Sequence, residues 1–554
     1  MSDNEMDQPT THSRPWEAGA SDEQKQSLIE QLLHEDEQSG PTVDTASSTR
    51  YGCIAAIATG VILSLFCLIS GTYILVTEKR KLGILVTLSS AGQETVTLAI
   101  NVVLALCTDG MMFVHSASLR WALYREQRLE FNTNIRLFTS SKKFGPNKWY
   151  INVIALACLV LSYAASSVLF MSAPLLVYDP TRSHPPTLIS ATALVALGLG
   201  LIGQALIAIW CLVSSRNIPT WSSNPLNTAL AVLQKGDLTH RPGRCMLSVH
   251  QKHAPNQPTD PMKRQGNMFG VQRIVRYIIA VMWILAVLAI AWPTAIAALL
   301  KSWAREAISY DAGPEAECWK FSFQWFPNSY GCYENQVTLA LSPAMNDDLK
   351  YDLDFSYGTQ TVLCVLFVCL IQASQTIALH CLELLVNLSR DEGVWRRAYS
   401  EKKEASGTQR ATDPFRAAVS SWENIIQFIS KAVMHWIIGQ SLIPSIMEGD
   451  YDSSHPAIQF QMIYSRLFVY AILAVFLAAF GTYLASKRPQ GNQPAALGNL
   501  QTLVDLIDDW KTDKNGRMWW GDKTESEDSE VRHAGTCYEK TELGPIRIAK
   551  YAGR

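Results

Sequence analysis

The chain has 554 residues, of which 48% are hydrophobic and 17% charged. Soluble domains usually carry about 25% charged residues, so a mainly water-facing surface is excluded for much of this chain. A net charge of −2 excludes a nucleic-acid binder that relies on a global basic field, and no nucleic-acid partner is expected.

Residues 1–50 are acidic, with eleven Asp/Glu against Arg14, Lys25 and Arg50. Ser21 and Gln24 fit a capping box ahead of Leu28, Ile29, Leu32 and Leu33, which predicts a short helix over 21–36 in an otherwise disordered tail. The first apolar run is too long for the core of a cleavable signal, so an uncleaved first helix is expected.

A membrane helix needs roughly 20 apolar residues to cross a ~30 Å hydrocarbon core. Eight runs are candidates: 52–77, 95–116, 150–176, 187–213, 275–300, 360–386, 417–447 and 467–486. Asn101 and Asp109 interrupt the second, and Glu423, Lys431 and His435 the seventh. The predicted fold is an all-α, polytopic helical membrane protein of about eight transmembrane helices, with polar cytoplasmic tails at 1–50 and 487–554. Eight crossings put 36 Lys/Arg on the inner side and 9 on the outer, as the positive-inside rule requires. Glu78-Lys79-Arg80-Lys81 runs against this bias; a re-entrant 95–116 would give seven crossings and reverse the N-terminus.

Most of the twelve cysteines lie in or beside apolar runs, where a thiol acts as a small hydrophobe. Cys318 and Cys332 differ: they lie in the acidic outer loop 301–359, where a disulfide worth about 3 kcal/mol is expected. The sequon Asn387-Leu388-Ser389 falls on the inner side and is expected to stay unmodified.

Ionisable residues at bilayer depth are functional candidates. Glu423, Gln427, Lys431 and His435 recur every fourth residue and make one helical stripe. Gln372, Thr376, His380 and Glu383 share a face of the sixth run, and Glu94, Asn101 and Thr108 recur every seventh residue, beside Asp109. One reading is a polar path lined by Asp109, His380, Glu383, Lys431 and His435, with Lys431 pairing with Glu383 or Asp109. The other is plain: groups near helix ends reach headgroups and water, and hydrogen bonds between helices act as glue worth ~0.6 kcal/mol each. Ala56, Gly60 and Ser64, and Ala193, Ala196, Gly200 and Gly203, predict close helix contacts. Pro293 predicts a kink in the fifth helix.

Between the second and third runs, Arg120, Arg125, Arg128 and Arg136 alternate with aromatic and aliphatic residues. This predicts a cationic amphipathic element on anionic lipids of the inner leaflet, at about 1 kcal/mol per charge. The same mix also suits RNA, but ordinary positive-inside anchoring accounts for it. His250 and His253 lack the two further ligands a zinc site needs. In the C-terminal tail a helix is expected over 497–510, and Trp519-Trp520 suggests that the tail folds back onto the membrane or the inner loops.

The run from Leu119-Arg120-Trp121 through Arg128-Leu129-Glu130-Phe131-Asn132-Thr133-Asn134 to Pro146-Asn147-Lys148-Trp149-Tyr150 resembles multi-pass membrane proteins of filamentous fungi. So do Trp221-Ser222-Ser223-Asn224-Pro225, Gly243-Arg244-Cys245-Met246, Trp520-Gly521-Asp522-Lys523, Arg532–Thr536 and Tyr551-Ala552-Gly553. The resemblance spans about residue 50 to the end. It implies a fungal source and a helical membrane fold, and no activity. Phosphate-loop, nucleophile-elbow and zinc-protease motifs are missing, and no cofactor or metal is expected. The function expected is that of a non-enzymatic transporter-like, receptor or scaffold protein in the plasma membrane or an endomembrane. The alternative is a membrane-embedded enzyme acting on a lipid or isoprenoid, accessory to a fungal metabolite pathway.

Overall fold

The computed structural model describes residues 41–77, 83–172, 187–215, 217–309, 336–340, 357–399, 406–410, 421–447 and 457–553. Asp44–Arg554 forms one compact unit, separate from Met1–Val43. The predicted 21–36 helix, the Glu78–Lys81 cluster, Cys318 and Cys332 lie outside the described residues.

Among the described residues, eight long helices build the unit: α1 (Ser47–Thr77), α2 (Ser90–Arg125), α3 (Trp149–Val168), α4 (Ala191–Ser214), α6 (Ile274–Ser309), α7 (Tyr357–Arg396), α8 (Trp422–Ser441) and α9 (Tyr464–Ser486); a shorter α5 (Pro225–Gln234) follows α4. Seven of the eight are long and apolar enough to cross a membrane. The exception is α8, whose polar stripe lowers its hydropathy. The α2 helix, predicted as the weak one, qualifies over its length: Ser89 caps it by accepting from the Gly92 amide, Asn101 is buried, and Asp109 is paired with Lys431. Large apolar side chains such as Phe66, Tyr73, Tyr277, Leu370 and Ile472 are exposed around the bundle. A belt of that extent needs an apolar surrounding.

The all-α expectation needs correction at both ends. The strands β1 (Gly83–Val86), β2 (Phe170–Ser172), β3 (Thr187–Ser190), β4 (Gln336–Ala340), β6 (Leu442–Met447) and β7 (Ala457–Ile463) pair in the order β1-β3-β2-β6-β7-β4. Each lies in a connection between consecutive long helices, so one sheet gathers four helix–helix connections at one end. The opposite end holds the described residues of 126–148, 217–273, 397–399, 406–410 and 487–553. There β5 (Thr408–Gln409), β8 (Arg517–Asp522) and β10 (Ala534–Cys537) form a small sheet, with β9 (Val531–Arg532) and β11 (Lys550–Tyr551) paired alongside. Backbone bridges Phe131↔Asn499, Arg264↔Gln490 and Thr259↔Tyr551 join these segments. The start of the unit belongs to the same end, because the Asn227 amide donates to the Asp44 carbonyl. With both ends of this unit on one side, the eight helices alternate in direction.

At about 1.5 Å per residue, α2 and α7 run some 54 and 60 Å, well beyond a bilayer core. Both project into the tail-side layer. Asp391 of α7 accepts from Asn132 at 2.9 Å, and Glu392 accepts from the amides of Ala496 and Leu497 at 2.9 and 2.8 Å. The tail does fold back: Trp520 is buried edge-on to Trp395 and Tyr399. The tail helix, α10, covers only Leu500–Leu506.

The small residues pack helices closely. A Cβ on Gly110 of α2 would collide with Ala56 Cβ on α1, and one on Gly200 of α4 would lie 2.5 Å from Ser162 Oγ. Ser64 Oγ donates across to the Gly198 carbonyl at 2.8 Å. Packing of this kind supplies van der Waals contact where the hydrophobic effect cannot drive helices together.

Candidate functional site

Four helices bring the polar residues of the bundle together. Lys431, midway along α8, lies 2.8 Å from Asp109 Oδ1 on α2 and 3.5 Å from Glu383 Oε2 on α7. Glu383 Oε2 also accepts from His380 Nδ1 one turn earlier, at 3.1 Å. One turn beyond Lys431, the His435 ring stacks on Tyr163 of α3 with centroids 3.6 Å apart and planes 2° from parallel. His435 Nδ1 lies 2.7 Å from Gln372 Oε1, and Gln372 Nε2 donates to Ser167 Oγ at 3.0 Å. Because the Gln372 amide nitrogen is committed to Ser167, its oxygen accepts, and His435 carries its proton on Nδ1.

The stripe on α8 thus faces the protein interior: Glu423, Gln427, Lys431 and His435 are all buried. At its first turn Glu423 accepts from Ser421 at 2.6 Å. Near the sheet end, Arg466 of α9 pairs with Glu94 Oε1 at 2.8 Å and donates to the Gln440 carbonyl at 2.9 Å. Polar contacts therefore recur along the whole of α8.

Two small cavities adjoin the charges. One, of about 10 Å³, is lined by Asp109, Tyr163, Thr376, His380, Lys431 and His435. That is room for about one water molecule. The other, of about 50 Å³, lies toward the tail side and includes His115, Arg136, Asn152, Gln204 and His380. His380 borders both cavities. Arg136 Nη1 lies 2.9 Å from His115 Nδ1; a guanidinium only donates, so His115 Nδ1 accepts and its proton sits on Nε2, which finds no partner.

All five intramembrane residues singled out from sequence meet here. The four arginines do not lie together on one outer surface. Arg120 is buried and donates to the Ser222 carbonyl at 2.8 Å, and Arg136 lines the cavity. Arg125 lies over the Phe144 ring, and Arg128 pairs with Glu126 at 2.9 Å. Segment 126–148 is a folded plug, and the cationic amphipathic element expected here does not form one continuous face. Glu126 holds it: burial pushes its carboxyl up, but the Ser141 hydroxyl, the amides of Lys142 and Lys143, and Arg128 together bring it down to about 2. This plug exposes Gln127, Arg128 and Glu130 at its start, and Leu137, Phe138, Lys142 and Lys143 further on.

Sequence reasoning missed Tyr163, Ser167, His115 and Arg466. The run Ser162-Tyr163-Ala164-Ala165-Ser166-Ser167, small and hydroxylic within an apolar helix, was the available signal. Among the described residues no disulfide forms, and the eight cysteines of the apolar runs are buried or half-buried free thiols.

Fold and site together define a polytopic helical bundle of membrane-protein type with a charged, histidine-bearing interior. Comparison with family models, curated proteins and solved structures finds no match.

Proposed function

We propose that the chain is a transporter-like membrane protein that crosses the bilayer eight times and passes protons through its charged interior. The observation that carries this reading is the Asp109–Lys431–Glu383–His380 constellation on three helices, continued through His435, Gln372 and Ser167. Buried charges are costly and are retained in membrane proteins where they serve a pathway. An imidazole can take a proton on one ring nitrogen and release it from the other, so His380 and His435 offer relay points. The cavities at the charges hold water-sized guests, so a lipid or isoprenoid substrate does not fit there, which weighs against the enzymatic reading.

The tail side is assigned to the cytoplasm by the Lys/Arg bias, 36 against 9. The resemblance to multi-pass proteins of filamentous fungi agrees with the bundle and adds no activity. Anionic lipid of the inner leaflet would meet Lys142 and Lys143, flanked by exposed Phe138 and Trp149.

The test is reconstitution of the purified chain into liposomes loaded with a pH-sensitive dye, with a potassium diffusion potential imposed. The expected result is proton entry above that of protein-free vesicles, reduced at least tenfold by Asp109→Asn. Entry equal to that of empty vesicles contradicts the reading.

A further inference from the structure

A third, larger cavity of about 260 Å³ opens between α6, α7, α8 and α9, sharing Leu379 with the smallest cavity at the charges. Its walls are apolar, with Met282, Trp292, Leu382, Met434 and Leu477 among them. Gln375 of α7 stands in this wall, 3% exposed, and neither Nε2 nor Oε1 has a hydrogen-bond partner. A buried amide left unpaired costs about 1–3 kcal/mol. At the rim, Leu288 and Leu370 are 59% and 74% exposed, so the cavity opens on the apolar belt of the bundle.

We propose that this cavity binds a neutral lipid bearing a single hydroxyl group, with its hydrocarbon against the apolar walls and its hydroxyl on Gln375. A hydroxyl donates to Oε1 and accepts from Nε2, and so satisfies both orphaned atoms; an ether or ester oxygen satisfies only one. A charged headgroup is disfavoured, because no acidic or basic side chain lines the cavity. The volume lies just below the usual range for small-molecule sites, roughly 300–1,000 Å³, so part of the ligand extends into the bilayer. The proposal depends on the belt facing lipid and is independent of proton passage through the charged network.

The probes are a photoactivatable long-chain alkanol and a photoactivatable sterol, each applied to the full chain in nanodiscs. Saturable labelling of α6, α7, α8 or α9 by either is expected, and the probe that labels identifies the source. The parent alcohol should compete while its methyl ether does not. Gln375→Leu should cut saturable labelling about tenfold. The same variant should unfold no lower in temperature than the parent without ligand, and should keep the parent's proton entry. Labelling that does not saturate with either probe, or that Gln375→Leu leaves unchanged in a folded protein, overturns the proposal.

Discussion

The Lys431 ammonium lies 2.8 Å from the Asp109 carboxylate, joining α8 to α2 across 322 positions of sequence. Lys431 is nearly enclosed, whereas the Asp109 and Glu383 side chains are about one-third exposed to the adjoining space. Removing the cation leaves the Asp109 and Glu383 carboxylates without the ion-pair partner they share. Lys431→Met is expected to destabilise the detergent-solubilised chain by about 2 kcal/mol, less than a fully buried pair would lose. Adding Asp109→Asn to Lys431→Met should recover part of that loss. A double-mutant cycle on unfolding checks it, and strict additivity would show that the pair is not coupled.

The α1–α2 contact at Gly110 leaves no room for a side chain, because the atom a Cβ would strike is Ala56 Cβ on a packed backbone. Gly110→Ala should cost about 1–3 kcal/mol by overpacking. Ala56→Gly should relieve that cost when combined with it. Thermal unfolding of the four variants decides the matter: a double variant no better than Gly110→Ala alone contradicts the contact.

Asp508 fastens β10 to the tail. It accepts from His533 Nε2 at 2.8 Å, from Lys523 at 2.9 Å and from the Thr536 amide at 2.7 Å. Burial raises its carboxyl, but these donors outweigh burial and hold it well below the ordinary carboxylate range. A carboxylate depressed by folding stabilises above its unfolded value and loses that contribution as pH falls. Amide hydrogen exchange over 517–537 should therefore accelerate, relative to its intrinsic rate, from about pH 5 downward. Asp508→Asn should make this dependence shallower, with Asp522 supplying the remainder in the same direction. An unchanged pH profile in that variant would refute the assignment.

Glu126 closes the plug segment on four donors, so Glu126→Ala should free residues 139–148 while the helices persist. Charged hydrogen bonds of this kind contribute about 1.5–3 kcal/mol. Limited proteolysis at Lys142-Lys143 checks this, with faster cleavage expected in the variant and unchanged helical circular dichroism.

The positions of the eight helices were legible in hydropathy, while the elements that end them were not. Apolar runs 150–176, 187–213 and 417–447 each conceal a boundary: Phe170–Ser172, Thr187–Ser190 and Leu442–Met447 are strands. A short apolar stretch reads equally as helix or strand, and pairing among four distant connections decides it. The stripe Glu423–Gln427–Lys431–His435 was visible by its spacing, because a helix places every fourth residue on one face. Its partners were not, since spacing says nothing of which helix packs opposite. Arg136 illustrates the same limit: basic residues among aromatics read as a lipid-facing surface, yet the plug turns this one inward to His115. The tail strands escaped notice because side-chain bonds such as those of Asp508 and Asp522 fix them more than any alternating pattern does.

A bundle that crosses the bilayer eight times has its sheet end and its tail end on opposite faces. Single cysteines at Leu85, Ser406, Gln459 and Asp528, labelled with a membrane-impermeant thiol reagent in sealed vesicles, test this directly against the unsubstituted chain as background. The account predicts that Ser406→Cys and Asp528→Cys react from one face, and that Leu85→Cys and Gln459→Cys react only from the other. Labelling of Leu85→Cys from the same face as Asp528→Cys, or of Gln459→Cys from the same face as Ser406→Cys, would contradict it.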